Sequence, residues 1–289
     1  MSGLLSSGLD PIMQKKTFGN TTDITFDIPE LVQYINWIYF YHAWGIKEEQ
    51  GLDLKKEAMS LIDRWSAEER HTVFRVCLFQ ANSHDEDIFL YENKREDIVS
   101  QADNTHCPAP LHIVPLLRQQ HAPFLCLADF LPPVGHKSET IGIFASSVPF
   151  SAGEILEQTV ADRLAEATAE LGHEQVRKHI WGYAHNEELT PKDMFAEQYI
   201  GKRPAIGYPS LPDQSLNFLL SDILDMPSMG IRLTENGAMI PHASTSGLMI
   251  SHPLCRHFSI GKIGEDQLTD YAQRRNIDKE TLKKFLNVL

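Results

Sequence analysis

The stretch Ser151–Leu171, SAGEILEQTVADRLAEATAEL, carries the strongest local signal in the chain. Ser151 and Glu154 have the S-x-x-E spacing of a capping box, in which two side chains satisfy the first free backbone N–H groups of a helix. Leu156, Val160, Leu164, Ala167 and Leu171 then step by four, four, three and four, the spacing of one helical face. The pattern predicts a helix that continues past Gly172 toward Tyr183 and is the longest element.

Upstream of this helix the period changes. Thr72–Ala81 is short and β-rich, Asp85–Asp87 interrupt it, and Ile88–Tyr91 resumes it, which predicts a hairpin. Phe124–Phe130 and Thr140–Ala145 read as further strands, joined by a loop with Pro132, Pro133 and Gly135. Before these strands come two helical patterns. Pro29–Trp44 is dense in aromatic residues, with Leu31, Tyr34, Ile38 and Tyr41 on one stripe and Asn36 off it. Leu52–Glu68 places Leu54, Ala58, Leu61, Ile62 and Trp65 on one face. Downstream, Gly201–Pro212 is a Gly/Pro-rich loop and Ser215–Asp225 a helix. Gly230–Thr234, Leu248–Ser251 and His257–Ile263 read as strands. Asp266–Arg275 and Lys279–Val288 read as closing helices, the second capped by Asp278. Strands and helices come in runs and do not alternate strictly. That order predicts an α+β fold with an antiparallel or mixed sheet.

The composition excludes several functions. In 289 residues, 26 basic and 39 acidic side chains give a net charge of −13. A nucleic-acid surface needs basic patches, and an anionic membrane surface attracts them, so neither partner is expected. No run approaches the ~18 apolar residues of a membrane span. The N-terminus lacks a basic start followed by an apolar run, so no secretory signal is read, and the expected location is cytoplasmic. Residues 1–16 read as a loose Gly/Ser-rich arm and 17–289 as one domain. Cys77, Cys107, Cys126 and Cys255 are scattered without a CxxC pair, which suits neither a disulfide framework nor a zinc site. The 13 histidines include no H-E-x-x-H, and no metal site is expected. No G-x-S-x-G, G-x-G-x-x-G or G-x-x-x-x-G-K-[ST] occurs, and no catalytic residue is assigned.

Two stretches remain as candidate sites. In Arg203–Pro209, RPAIGYP, the prolines restrict the backbone and Gly207 permits a bend. Arg203 offers a fork for a carboxylate and Tyr208 an amphipathic ring. The loop suits either a grip on a zwitterionic ligand or a structural turn with a surface arginine. Ser244 and Ser246, beside Gly247, suit close approach to a flat ligand as well as they suit a turn.

These residues also carry a resemblance. RPAIGYP at 203–209, LTENGAMIPHASTSG at 233–247, Ser251-His252-Pro253 and Asp266-Gln267…Asp270-Tyr271-Ala272…Arg274 follow in order. Together with ADRLAEA at 161–167, WGYA at 181–184, LRQQ at 117–120 and CLADF at 126–130, they resemble the activation domain of cobalamin-dependent methionine synthase. The likeness runs from about residue 17 to the end. It implies a single C-shaped α+β domain, a twisted antiparallel sheet flanked by helices, that binds S-adenosylmethionine in a shallow groove. It implies docking over a cobalamin domain, where an electron from flavodoxin or another reductase and the methyl of S-adenosylmethionine regenerate methylcobalamin.

By the same resemblance Arg203 meets the donor's carboxylate, Ala205 offers backbone contacts, and Tyr208 lines the groove. Asn36 stands where the family has an acidic residue for the donor's amino group, and the amide loses the charge pairing. His257, followed by Phe258, stands where the family has a tyrosine. Glu166 and Glu197 match acidic family positions near the site. The stretch 238–244 matches the family segment near the corrin. No homocysteine, folate or cobalamin domain precedes the matching stretch, and no D-x-H-x-x-G motif occurs. The expectation is therefore a free-standing reactivation subunit. It would act on a cobalamin-binding methionine synthase, or a related corrinoid methyltransferase, that lacks its own activation domain. The alternative is a regulatory or interaction protein that keeps the fold with weakened or altered ligand binding.

Overall fold

The structure, a computed structural model, describes residues 14–18, 20–92, 109–150 and 153–286. Strands β1 (Gln14–Phe18) and β2 (Thr21–Asp27) lead into helices α1 (Ile28–Leu31), α2 (Trp37–Ala43) and α3 (Leu52–Ala67). Strands β3 (His71–His84), β4 (Asp87–Tyr91), β5 (His112–Pro115) and β6 (Glu139–Ser147) follow. Helix α4 (Ile155–Gln175) passes into a π turn (Val176–Ile180), and α5 (Pro191–Phe195) and α6 (Leu216–Leu224) follow. Strands β7 (Arg232–Leu233), β8 (Met239–Ile240) and β9 (Ser244–Ile250) precede α7 (Glu265–Arg275) and α8 (Lys279–Lys283).

Seven strands form one antiparallel sheet organised by β3. One edge of β3 carries β2 along residues 71–77 and β4 along 80–84, while β6 pairs with the other edge over 73–81. Strand β9 pairs with β6, and β1 and β5 flank the opposite side. Period-two alternation sends side chains to two cores. Phe74, Val76, Phe144 and Met249 face α1, α3 and α4. Cys77, Phe79, Ile141, Ile143, Leu248 and Ile250 face α6 and the turn at Leu127–Phe130. A third cluster joins α7 and α8 to Leu117, Ile260 and Ile263. The result is one mixed α/β domain around a curled antiparallel sheet, as the resemblance implies. Among the described residues, no helix is long and apolar enough to cross a membrane.

Small residues let α4 lie close on the sheet. Ala161, Ala165, Ala169 and Gly172 are buried, and Gly172 leaves room for the Phe74 ring. Ser151 lies outside the described residues, as do Cys107 and Val288. The helix begins later than the capping box implies, because Glu154 takes the N-cap position and makes no side-chain cap bond. Glu157 accepts the Gly153 N–H at 2.9 Å instead.

Other elements also differ from the sequence reading. The helix over Pro29–Trp44 is broken, because Ile35 and Asn36 adopt extended backbone between the short turn at Val32–Tyr34 and α2. Phe124–Phe130 is no strand. Arg118 forks onto Asp129 at 2.8 Å and takes Phe124 O at 2.8 Å, while Asp129 accepts the Cys126 N–H, which folds the segment into a 3-10 turn. His257–Ile263 joins no ladder, and Gly230–Thr234 shrinks to β7. Helix α8 stops at Lys283, although Asp278 caps it as expected. Strand β1 crosses residue 16, the boundary drawn for the arm, while residues 1–13 lie outside the description.

Candidate functional site

The segment Gly201–Tyr208 is held along the free edge of β9. Lys202 and Ile250 exchange backbone hydrogen bonds at 2.8 and 2.9 Å; Leu248 N donates to Pro204 O at 3.0 Å and Ile206 N to Ser246 O at 2.9 Å. The close approach foreseen at Gly247 is therefore to the protein's own backbone. A β-carbon there would collide with Pro204 O and lie 2.8 Å from Ala205 Cα. The neighbouring serines are also engaged within the fold. Ser246 Oγ donates to Asn217 at 2.6 Å, and Ser244 Oγ meets Ser147 Oγ at 2.8 Å. The stretch is a strand and not a turn.

This anchoring turns Arg203 toward α4. A cleft opens between that loop, α4, the start of α2 and the segment around Glu197. Asn36, Glu166, Glu197, Arg203, Ala205, Tyr208 and His257 all line it, although they come from five separate stretches of sequence. Phe258 does not line it; its ring packs between the second and third cores.

Arg203 and Glu170 form the floor. Their side chains are 12% and 13% exposed, and Nη2 lies 3.1 Å from Oε2. Burial alone would pull the guanidinium pKa down; the negative charge of Glu170, with Tyr199 and Glu166 nearby, more than offsets this and holds it up. Arg203 Nε, Glu170 Oε1 and Arg163 Nε are buried and have no partner among the described residues. A buried polar atom left unpaired costs about 1–3 kcal/mol, so three around one cleft fit a polar ligand that would satisfy them.

Each wall is fixed by its own contacts. Tyr208 donates to Glu166 Oε1 at 3.1 Å, and that carboxylate, aided by burial, pushes the phenol up to about 12. His257 Nε2 stands 3.2 Å and Lys202 Nζ 3.4 Å from Glu197. The hydrogen bond from His257 holds the Glu197 carboxyl below its usual range. Asn36 serves as the N-cap of α2, its Oδ1 accepting the Ile38 N–H at 3.1 Å. Behind the cleft, Tyr199 packs edge-on to His173 at 5.0 Å and under the Arg177 guanidinium at 4.2 Å. Arg177 is fully buried, its charge met by Glu187 at 2.6 Å. Burial and the neighbouring cations hold His173 neutral, well below an ordinary histidine.

Sequence reasoning missed Glu170 and Arg163. Their signal is spacing: Arg163, Glu166 and Glu170 stand at i, i+3 and i+7, one face of α4. The stretch 238–244 lies elsewhere, in a separate surface groove with Asp162 and Arg232. His242 there reaches Asp162 at 3.1 Å. Among the described residues, no three His, Cys, Asp or Glu side chains are grouped as a metal ion would require.

Comparison with known proteins gives concordant findings. Residues 27–276 match the family model described as vitamin B12-dependent methionine synthase, activation domain. The chain is also similar to a crystal structure of the MetH reactivation domain bound to AdoHcy (S-adenosylhomocysteine). The TM-score is 0.81 at 30% identity, covering 100% of this chain and 95% of that one.

Proposed function

Because the chain belongs to the family of vitamin B12-dependent methionine synthase activation domains, we propose that it binds S-adenosylmethionine in the cleft around Arg203. We propose further that it docks on a cobalamin-binding methionine synthase, or a related corrinoid methyltransferase, that lacks its own activation domain. There it supports conversion of cob(II)alamin to methylcobalamin. The observation that carries this reading is the convergence of buried, unpaired charged atoms on one cleft, at Arg203 and Glu170.

When bound, S-adenosylmethionine supplies a methyl group on a positively charged sulfur, while an electron comes from flavodoxin or another reductase. The residues of this chain bind and orient. Arg203 receives a carboxylate through its free Nε, in a setting too dry for water to weaken the pairing. Ala205 brings backbone close to the ligand, and Tyr208 and Tyr39 supply aromatic walls. Three carboxylates, Glu166, Glu170 and Glu197, line the cleft against two guanidiniums, Arg163 and Arg203. With Lys202 and His257 beside Glu197, charges of both signs meet a zwitterionic ligand. No residue here is asked to make or break a bond; the chain's part is positioning.

The test uses a methionine synthase without an activation domain, with its cobalamin as cob(II)alamin. Adding this protein, a reductant and S-adenosylmethionine is expected to restore turnover, and Arg203→Ala is expected to abolish the rescue. No rescue with any corrinoid methyltransferase from the same source rejects the docking role. Failure to bind S-adenosylmethionine in calorimetry rejects the ligand.

A further inference from the structure

Position 36 is poorly placed to recognise an ammonium group. The side chain of Asn36 caps α2, and Oδ1 is committed to the Ile38 N–H at 3.1 Å. Asn36 lines the cleft, and an aspartate there would keep a second acceptor oxygen. The second terminal atom of asparagine is Nδ2, which only donates and carries a partial positive charge. The other carboxylates of the cleft also have partners, and neither has an unpaired oxygen that is buried. Glu166 accepts from Tyr208, and Glu197 is held between His257 and Lys202.

Glu170 is different. One oxygen, Oε2, holds Arg203 at 3.1 Å, and the other, Oε1, is buried without a partner. Across the same ion pair, Arg203 Nε is a buried donor without a partner. The fold therefore offers one free anionic acceptor and one free cationic donor, joined by a salt bridge. An α-amino acid carries the complementary pair, a carboxylate and an ammonium, on a single carbon.

Resting on the donor-binding reading above, we propose that Glu170 receives the ligand's α-ammonium, and that Glu170 and Arg203 together clamp the zwitterionic end of an α-amino acid nucleoside. The ammonium acceptor is thus placed in the last third of α4 and not at the start of α2. Selectivity for nucleosides that bear a free amino group follows from Glu170 and not from position 36.

The test is calorimetry on the full chain with two probes: S-adenosylhomocysteine, and its analogue with hydrogen in place of the amino group. In the wild type, losing the amino group is expected to weaken binding about tenfold or more, as for a charge-assisted bond in a dry site. Glu170→Gln is expected to weaken S-adenosylhomocysteine more than the analogue, so that the preference for the amino group falls to about twofold or less. Adding Asn36→Asp to Glu170→Gln is expected to restore it. If Glu170→Gln does not fold, Glu170→Asp keeps the charge and withdraws it from the ligand, and is expected to reduce the preference about threefold or more. An unchanged preference in the folded Glu170 variant overturns the clamp while leaving the donor reading intact. A wild type that binds neither probe overturns both.

Discussion

Arg203 stood out in the sequence, yet its setting in the fold depends on a residue that did not. The RPAIGYP stretch pointed to it, but Glu170, which makes it a buried ion pair, sits 33 positions upstream. Proximity of that kind exists only after α4 and β9 have met. Arg203→Ala would strand Glu170 as an unpaired buried charge. The expected cost is about 3–5 kcal/mol, read as a lower urea midpoint, together with loss of nucleoside binding. Asn36 was legible as a departure from the family pattern, but its capping bond, which decides what it offers a ligand, was not. His173 gives a pH signature. Its folded pKa is depressed by burial, so between that value and about 6.5 the unfolded chain binds the extra proton. Stability is therefore full above pH 6.5 and falls as pH drops, by at most ~1.4 kcal/mol per unit from this group. Urea titrations of wild type and His173→Gln from pH 7.5 to 5 check it, and the variant is expected to show the shallower slope.

At the scale of elements, the strands were legible where both faces are buried. Strand β3 and strand β6 read as apolar runs because alternate side chains feed two different cores. Helices α3 and α4 were legible from their spacing. What the pattern could not resolve was where polar groups override it. Asn36 ends one helical turn and starts another, and the Arg118–Asp129 fork bends an apolar run into a turn. Strands β2 and β5 went unread; β2 alternates polar and buried positions in only seven residues. The contact between β9 and the Arg203 loop depends on glycine. Gly247→Ala is expected to cost about 1–3 kcal/mol, because backbone and not a flexible side chain meets the added carbon. It is also expected to weaken nucleoside binding, since the segment that carries Arg203 must lift. Thermal unfolding and calorimetry on the same sample separate the two effects.

As a whole molecule, the chain is one domain whose cleft is assembled from its entire length. The fold class and the family were legible from motifs spread along the chain; the shape of the cleft needed all of them placed at once. A ligand in this cleft touches α2, α4, the Arg203 loop and His257, and so binds only the completed fold. At a free concentration of 100 times Kd it is expected to add about 2.7 kcal/mol of stability, which S-adenosylhomocysteine titration should show as a rise of several degrees in Tm. The span of the lining residues has a further consequence, for synthesis. Tyr34 leaves the ribosome first and His257 last, an interval of roughly 10–45 s at translation speeds of about 5–20 residues per second. Until His257 is made the cleft is incomplete, and a nucleoside held by all of its walls cannot stabilise the growing chain. Any stabilisation by a ligand in this cleft therefore begins only after His257 has been made.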